Sequence, residues 1–286
     1  MTLPAYSYPP PPVPPERKPR WWLVGIVVAW AVVLVVGAVW SIRNEPATVP
    51  DQRSIKQALP YLQKATAAML TAADGAGRAV VLGDLVLDAE CRLTPVRPGV
   101  QGSREVTVHV RSGQLGAAFD AIAAALPAGF QAQAKHGTMG GRHDLYADAG
   151  GFVAIDATAR ADDTVFTLRA STGCRPRSAG FDAGPADPPA GSLPSAYIRA
   201  VGALGASDAA ATERAVICPS GATARTVISG ELTEPRSLGT ALEALAGPAA
   251  IVQADPHDWA YRDGDVSVVV DGNDGKVRVS ATTACR

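Results

Sequence analysis

Residues 21–40 read WWLVGIVVAWAVVLVVGAVW, twenty positions without one charge. A helix needs about 20 apolar residues to cross a bilayer, and a run this long leaves few other fates. Trp21, Trp22 and Trp40 stand at its ends, where interfacial aromatics belong. Arg17, Lys18 and Arg20 precede it, whereas Arg43 follows with Glu45 close by. This asymmetry of basic residues puts the N-terminus in the cytoplasm and everything after residue 40 outside. A cleaved signal peptide is the rival reading, but its apolar core spans about 7–15 residues and ends in a small-x-small site. Here the run is longer, and Trp40 spoils the site after Ala38. A buried soluble helix would show a polar face, which this run lacks. The expectation is a single-pass signal-anchor in the cell membrane, with the lipid bilayer as partner through residues 21–40.

The preceding tail, residues 1–20, holds eight prolines, six of them between Pro9 and Pro15. Such a stretch is polyproline II or disordered, because proline offers no N–H for helix or sheet. It reads either as a short docking ligand for a cytoplasmic partner or as a solvated leader. Twenty residues are too few for a signalling domain, so whatever the chain does by folding it does outside.

Beyond the anchor the sequence echoes itself. LGAAFDAIAAA (115–125) aligns with LGTALEALAGP (238–248), with five of eleven positions identical. HDLYADAGGFVAID (143–156) aligns with HDWAYRDGDVSVVVD (257–271), with one residue inserted. TLRASTGCR and VRVSATTACR end together on Cys174-Arg175 and Cys285-Arg286, and Cys91 corresponds to Cys218. One such match is within chance; the shared order of all four implies an internal duplication.

The coarse pattern of each copy is α-β-β-α-β-β-β. A helix from Ser54 to about Ala73, and in the second copy from about Pro194 to Ala210, precedes a strand leading into the first cysteine. REVTVHV (104–110) and RTVISGEL (225–232) form the next strand. In the repeated helix, Leu115, Phe119 and Ile122 make an apolar stripe at i, i+4, i+7, with Ser112 where an N-cap belongs. Turn signals at Asp263-Gly264 and Asp271-Gly272 separate the closing strands. The expected class is α+β: two duplicated units, each a helix-backed antiparallel sheet. The expected boundaries are a tail 1–20, an anchor 21–40, a linker 41–53, a first unit 54–177, a Gly/Pro-rich linker 178–193 and a second unit 194–286, complete at Arg286.

Strand alternation puts Cys91 on a face with Leu85 and Leu87, Cys174 with Phe166 and Leu168, and Cys285 with Val277 and Val279. Cys218 shares a side with Val216, a weaker case. Four cysteines beyond an anchor suit an oxidising compartment. They allow three pairings, and the repeat selects Cys91–Cys174 with Cys218–Cys285. No C-x-x-C occurs, which disfavours a zinc or redox role.

The 26 Lys and Arg against 27 Asp and Glu leave a net charge of −1, so no basic stripe suggests nucleic acid. His109 alternates outward with Thr107 and Arg111 and reads as a surface residue; His136 lies in a Gly-rich loop. His143-Asp144 and His257-Asp258 recur at matched positions. They read either as a polar site with His as base or ligand and Asp orienting it, or as a hairpin position inherited by duplication. The signatures G-x-S-x-G, G-x-x-x-x-G-K-[ST], H-E-x-x-H and G-x-G-x-x-G are absent, and nothing implies a cofactor. The expectation is a non-enzymatic binding or accessory module of the cell envelope, with an envelope protein or wall component as partner. The alternative is an extracytoplasmic hydrolase with a site near His143, Asp144, His257 and Asp258. A sensor coupling the outer module to the Pro-rich tail is a third reading, weakened by the shortness of that tail.

Overall fold

The computed structural model describes residues 21–44, 53–137, 141–178, 181, 191–206, 210–247 and 250–285. The tail 1–20 and most of the linkers 41–53 and 178–193 lie outside the described residues. The chain divides into two compact units, Met1–Ala47 and Thr48–Arg286.

The first unit holds helix α1, Trp21–Asn44. Its apolar stretch, Trp21–Ser41, is 21 residues long, about 31 Å at 1.5 Å per residue, which matches a hydrocarbon core of about 30 Å. Side chains 21–41 are exposed on all sides of the helix. α1 is therefore long and apolar enough to cross a membrane.

The second unit starts with α2, Ile55–Ala73. The backbone N–H of Ser54 donates to Gln57 Oε1 at 3.0 Å, half of a capping box. Ile55, Ala58, Leu62, Ala65, Met69 and Ala72 are buried; their spacing of three and four residues makes one stripe against a sheet. Strands β1 (Arg78–Asp88) and β2 (Val100–Val110) follow, then α3 (Leu115–Ala125). Next come β3 (Gln133–His136), β4 (Arg142–Asp148), β5 (Ala154–Arg160) and β6 (Val165–Arg175). A short hairpin, Arg92–Thr94 with Arg97–Pro98, bridges β1 and β2. The remaining elements are α4 (Ser195–Ala203), β7 (Ala211–Ile217), β8 (Thr223–Ser229) and α5 (Leu238–Ala246). Strands β9 (Ile251–Ala254), β10 (Asp258–Asp263), β11 (Val266–Asn273) and β12 (Lys276–Thr283) complete the second sheet.

Both sheets are antiparallel. The first runs β1-β2-β6-β5-β4-β3 and the second β7-β8-β12-β11-β10-β9, with Leu232–Thr233 pairing β12 as a seventh strand. The two orders coincide strand for strand. The α+β class expected from the sequence is therefore present, with four closing strands per sheet instead of three. The additions, β3 and β9, are four-residue edges too short to show a period-2 pattern.

Local chemistry moved several boundaries. Gln114, not Ser112, is the N-cap of α3, whereas Ser237 caps α5 by accepting from the Thr240 N–H at 3.3 Å. α4 stops at Ala203, short of Ala210. Gly205 follows at φ +80°, and the N–H groups of Gly205 and Ala206 return to the carbonyls of Gly202 and Val201. That pair of bonds is a Schellman ending, whose left-handed residue favours glycine. The β11–β12 turn is Asp274-Gly275, both residues at positive φ, as a two-residue hairpin requires. Asp271 and Gly272 lie inside β11 instead.

Both expected disulfides are present: Cys91–Cys174 with Cα atoms 5.8 Å apart, and Cys218–Cys285 at 5.4 Å. Strand alternation ranked their burial wrongly. Cys218 and Cys285 are buried, whereas Cys91 and Cys174 are half-buried. A bulge between Leu82 and Leu85 breaks the register of β1, which ends at Asp88, so Cys91 follows the strand rather than its parity.

The helices cover one face of each sheet. Val80, Leu82, Val106 and Val108 face α2 and α3 in the first core; Val268, Val270, Val279 and Trp259 face α4 and α5 in the second. On the opposite faces, Ala79 and Val81 of β1 meet Val252, Ala260 and Val269. The second sheet therefore lies across the β1–β2 edge of the first, joined by polar bonds. The Leu82 N–H donates to Thr226 Oγ1 at 3.1 Å, and Arg104 donates to the carbonyls of Gly83 and Ala215, each at 3.0 Å. Arg214 grips Asp84, beside the bulge, in a bidentate pair at 2.5 and 2.7 Å.

Candidate functional site

Covering the outer face of β1 and β2 has a direct chemical result at His109. Alternation sends it away from the helices, as the sequence implies, but the second sheet covers that side and leaves it 4% exposed. His109 is thus a buried residue, not a surface one. Its Nδ1 lies 2.7 Å from Gln253 Oε1, and Gln253 Nε2 donates to the Thr164 carbonyl at 2.9 Å. Because Nε2 of the amide is committed as donor, Oε1 is the atom that accepts, and Nδ1 carries the imidazole proton. In the neutral ring, Nε2 is then the basic nitrogen.

His109 lines a hollow of about 240 Å³ with Thr107, Gln253, Asp255, Asp258 and Asp271. The hollow exists only because the two halves meet: Thr107 and His109 come from β2, the others from β9, β10, β11 or the adjoining turn. Asp271 keeps part of its surface in water, yet the protein crowded around its carboxyl raises its pKa above the ordinary carboxylate value. Nearby His109 and Arg278 pull it down and Asp258 pushes it up.

The recurring dipeptides meet different partners. His143 and Asp144 are successive residues of β4 and project to opposite faces. His143 Nδ1 lies 2.5 Å from His136 Nδ1, and His136 Nε2 lies 2.9 Å from Asp120 Oδ1. Asp144 accepts from Thr158 Oγ1 at 2.7 Å and Arg142 Nε at 2.8 Å, which hold its carboxyl below the usual range. His257 Nδ1 lies 2.7 Å from Glu234 Oε1, and that bond raises the imidazole pKa. Asp258 accepts from the Gly272 N–H at 3.3 Å and faces the seam hollow. Neither dipeptide forms the His–Asp hydrogen bond that an orienting carboxylate would make. Of the four candidates, only Asp258 joins the seam, and its histidine there is His109 from the other half.

His109, Gln253 and Asp271 were missed because no local pattern announces that one sheet will lie across another. The available hint was a histidine inside a strand whose flanking apolar residues, Val106, Val108 and Val110, already account for one face. Among the described residues, no group of three or more His, Cys, Asp or Glu side chains is placed to hold a metal ion. No family model, curated protein or solved structure matches this chain.

Proposed function

We propose that the chain is a single-pass, membrane-anchored binding or accessory module of the cell envelope. Its N-terminus is cytoplasmic, and its disulfide-locked body faces the oxidising side. The body arose by duplication of an αββαββββ unit, a reading supported by the matching strand order and the matched cysteine pairs. The observation that carries the binding role is the seam hollow, built from both halves and presenting Asp255, Asp258 and Asp271 around a fixed imidazole. The partner is an envelope protein or wall-associated component. Photo-crosslinkers at Val165 and Asp255, two residues lining the hollow, are expected to give a discrete adduct in intact cells, and the same probe at exposed Arg160 none. Equal labelling at all three positions would sink the reading.

One observation favours a second reading, an extracytoplasmic hydrolase. The Gln253–His109 bond fixes the ring of a histidine that lines a hollow with Asp258 and Asp271, an arrangement suited to a positioned general base. On that reading, the purified full chain turns over model ester or phosphoester substrates, and His109→Ala abolishes turnover.

A further inference from the structure

A second cavity, about 500 Å³, opens beside the start of α3 and is lined by Arg78, Arg111, Ser112 and Gln114 among others. Two arginines and no acidic residue are among the described residues that line it. The carboxylate nearest Arg78, Asp74, is already ion-paired with Arg262. Arg78 Nη2 reaches only the carbonyls of Ala72 and Asp74, both at a long 3.4 Å, and its buried Nε has no hydrogen-bond partner. Burial lowers the Arg78 pKa; the Asp74 carboxylate opposes that shift, and Arg262 adds a smaller lowering. Among the described residues, the Nε of this guanidinium lacks an acceptor and its Nη2 has only weak ones. Arg111 is fixed at the same cavity by Nε donating to the Ile251 carbonyl at 3.1 Å. The amino end of the eleven-residue α3 meets the same space, and its N-cap Gln114 gives the first turn no side-chain bond. The helix end therefore adds positive potential to that of the arginines.

We infer that this cavity binds a phosphate-type oxyanion carried on a small organic group, with Arg78 and Arg111 as its guanidinium clamps and Ser112 as a hydroxyl donor. Guanidinium pairs with phosphate oxygens through charge-assisted, often bidentate bonds, and the cavity has room for more than the bare ion. The inference rests on the binding-module reading and names a ligand class for it. A lipid headgroup and a soluble phosphorylated unit share this chemistry.

The test uses the full chain in a neutral detergent, titrated calorimetrically with glycerol phosphate, and the full chain in nanodiscs of zwitterionic or anionic phospholipid, read by thermal melting. Saturable glycerol phosphate binding is expected for a soluble source. A melting increase confined to anionic nanodiscs is expected for a headgroup. In either arm, Arg111→Gln or Arg78→Gln is expected to weaken the effect roughly tenfold or more, as loss of a charged hydrogen bond does. Should both arginine variants fail to fold, Ser112→Glu, which places a carboxylate at the exposed mouth, is expected to abolish binding. No saturable effect in either arm, or an effect unchanged by Ser112→Glu, overturns the inference. Crosslinking at the seam is independent of Ser112→Glu, so loss of the anion site and loss of the binding-module reading are separable.

Discussion

Cys174 and Cys285 end matched segments of the two halves, and their surroundings differ. Cys174 pairs with Cys91 near the rim of the first sheet, where Gly99 lies so close that an added Cβ would sit 2.5 Å from Cys174 Sγ. Beside it, Arg175 is 1% exposed, with Nε donating to the Thr172 carbonyl at 2.7 Å and Nη2 to those of Gly151 and Phe152 at 3.1 and 2.8 Å. The first half thus closes on a buried arginine that ties its last strand to the β4–β5 turn. The second half closes on a buried disulfide: Cys218 and Cys285 pack with Val216, Ala224 and the α2 side of the first core. The two halves share one strand order and each has its own disulfide; the first adds a polar clamp at Arg175, and the second buries its bridge against the first core.

The largest expected effect separates the two disulfides. They span 83 and 67 residues, so chain entropy gives each about 4.5 kcal/mol and does not distinguish them. Burial does. Cys218→Ala with Cys285→Ala is expected to cost about 1–2 kcal/mol more than Cys91→Ala with Cys174→Ala, because it also opens a cavity. Denaturant melts of the full chain in detergent measure this, and equal losses would break the comparison.

Arg175→Ala comes next, at about 3 kcal/mol, since it leaves three carbonyls without their donor and a void where the side chain lay. Arg175→Lys, with one ammonium in place of a planar fork, is expected to recover only part of that loss; full recovery would show that charge alone closes the first half. The second half carries a flaw of its own. The Tyr197 hydroxyl is buried with no hydrogen-bond partner among the described residues, so Tyr197→Phe is expected to stabilise by about 1 kcal/mol, and a loss of stability would mean the hydroxyl has an acceptor.

The smallest effect concerns His257, whose pKa Glu234 raises above 6.5. Its contribution to stability is fully present below pH 6.5 and fades as pH rises through the folded-state value. The residue is exposed, so the change in melting is slight, but NMR titration is expected to show an imidazole pKa above 6.5 that falls in Glu234→Gln. An unchanged pKa in that variant removes the pair.

What the sequence made legible follows periodicity. The repeated helix and the cysteine pairing rest on patterns repeated within the chain, and α1 on one unbroken apolar run. What it hid depends on tertiary context. β3 and β9 are too short to signal, and the β1 bulge shifts the side chains that follow it. The outward face holding His109 became interior only when the second sheet covered it. The recurring His-Asp dipeptides drew attention for their repetition, yet His143 and Asp144 alternate on one strand, His257 precedes the strand that Asp258 opens, and only Asp258 reached the seam.

The proposed function requires two within-half disulfides that lock the body on the oxidising side of the membrane. Non-reducing peptide mapping, after alkylation of intact cells expressing the full chain, tests it most directly. The expected result is two linked peptide pairs, Cys91 with Cys174 and Cys218 with Cys285, with none of the four cysteines alkylated. A Cys91–Cys218 link, or four thiols alkylated only once the membrane is permeabilised, would contradict it.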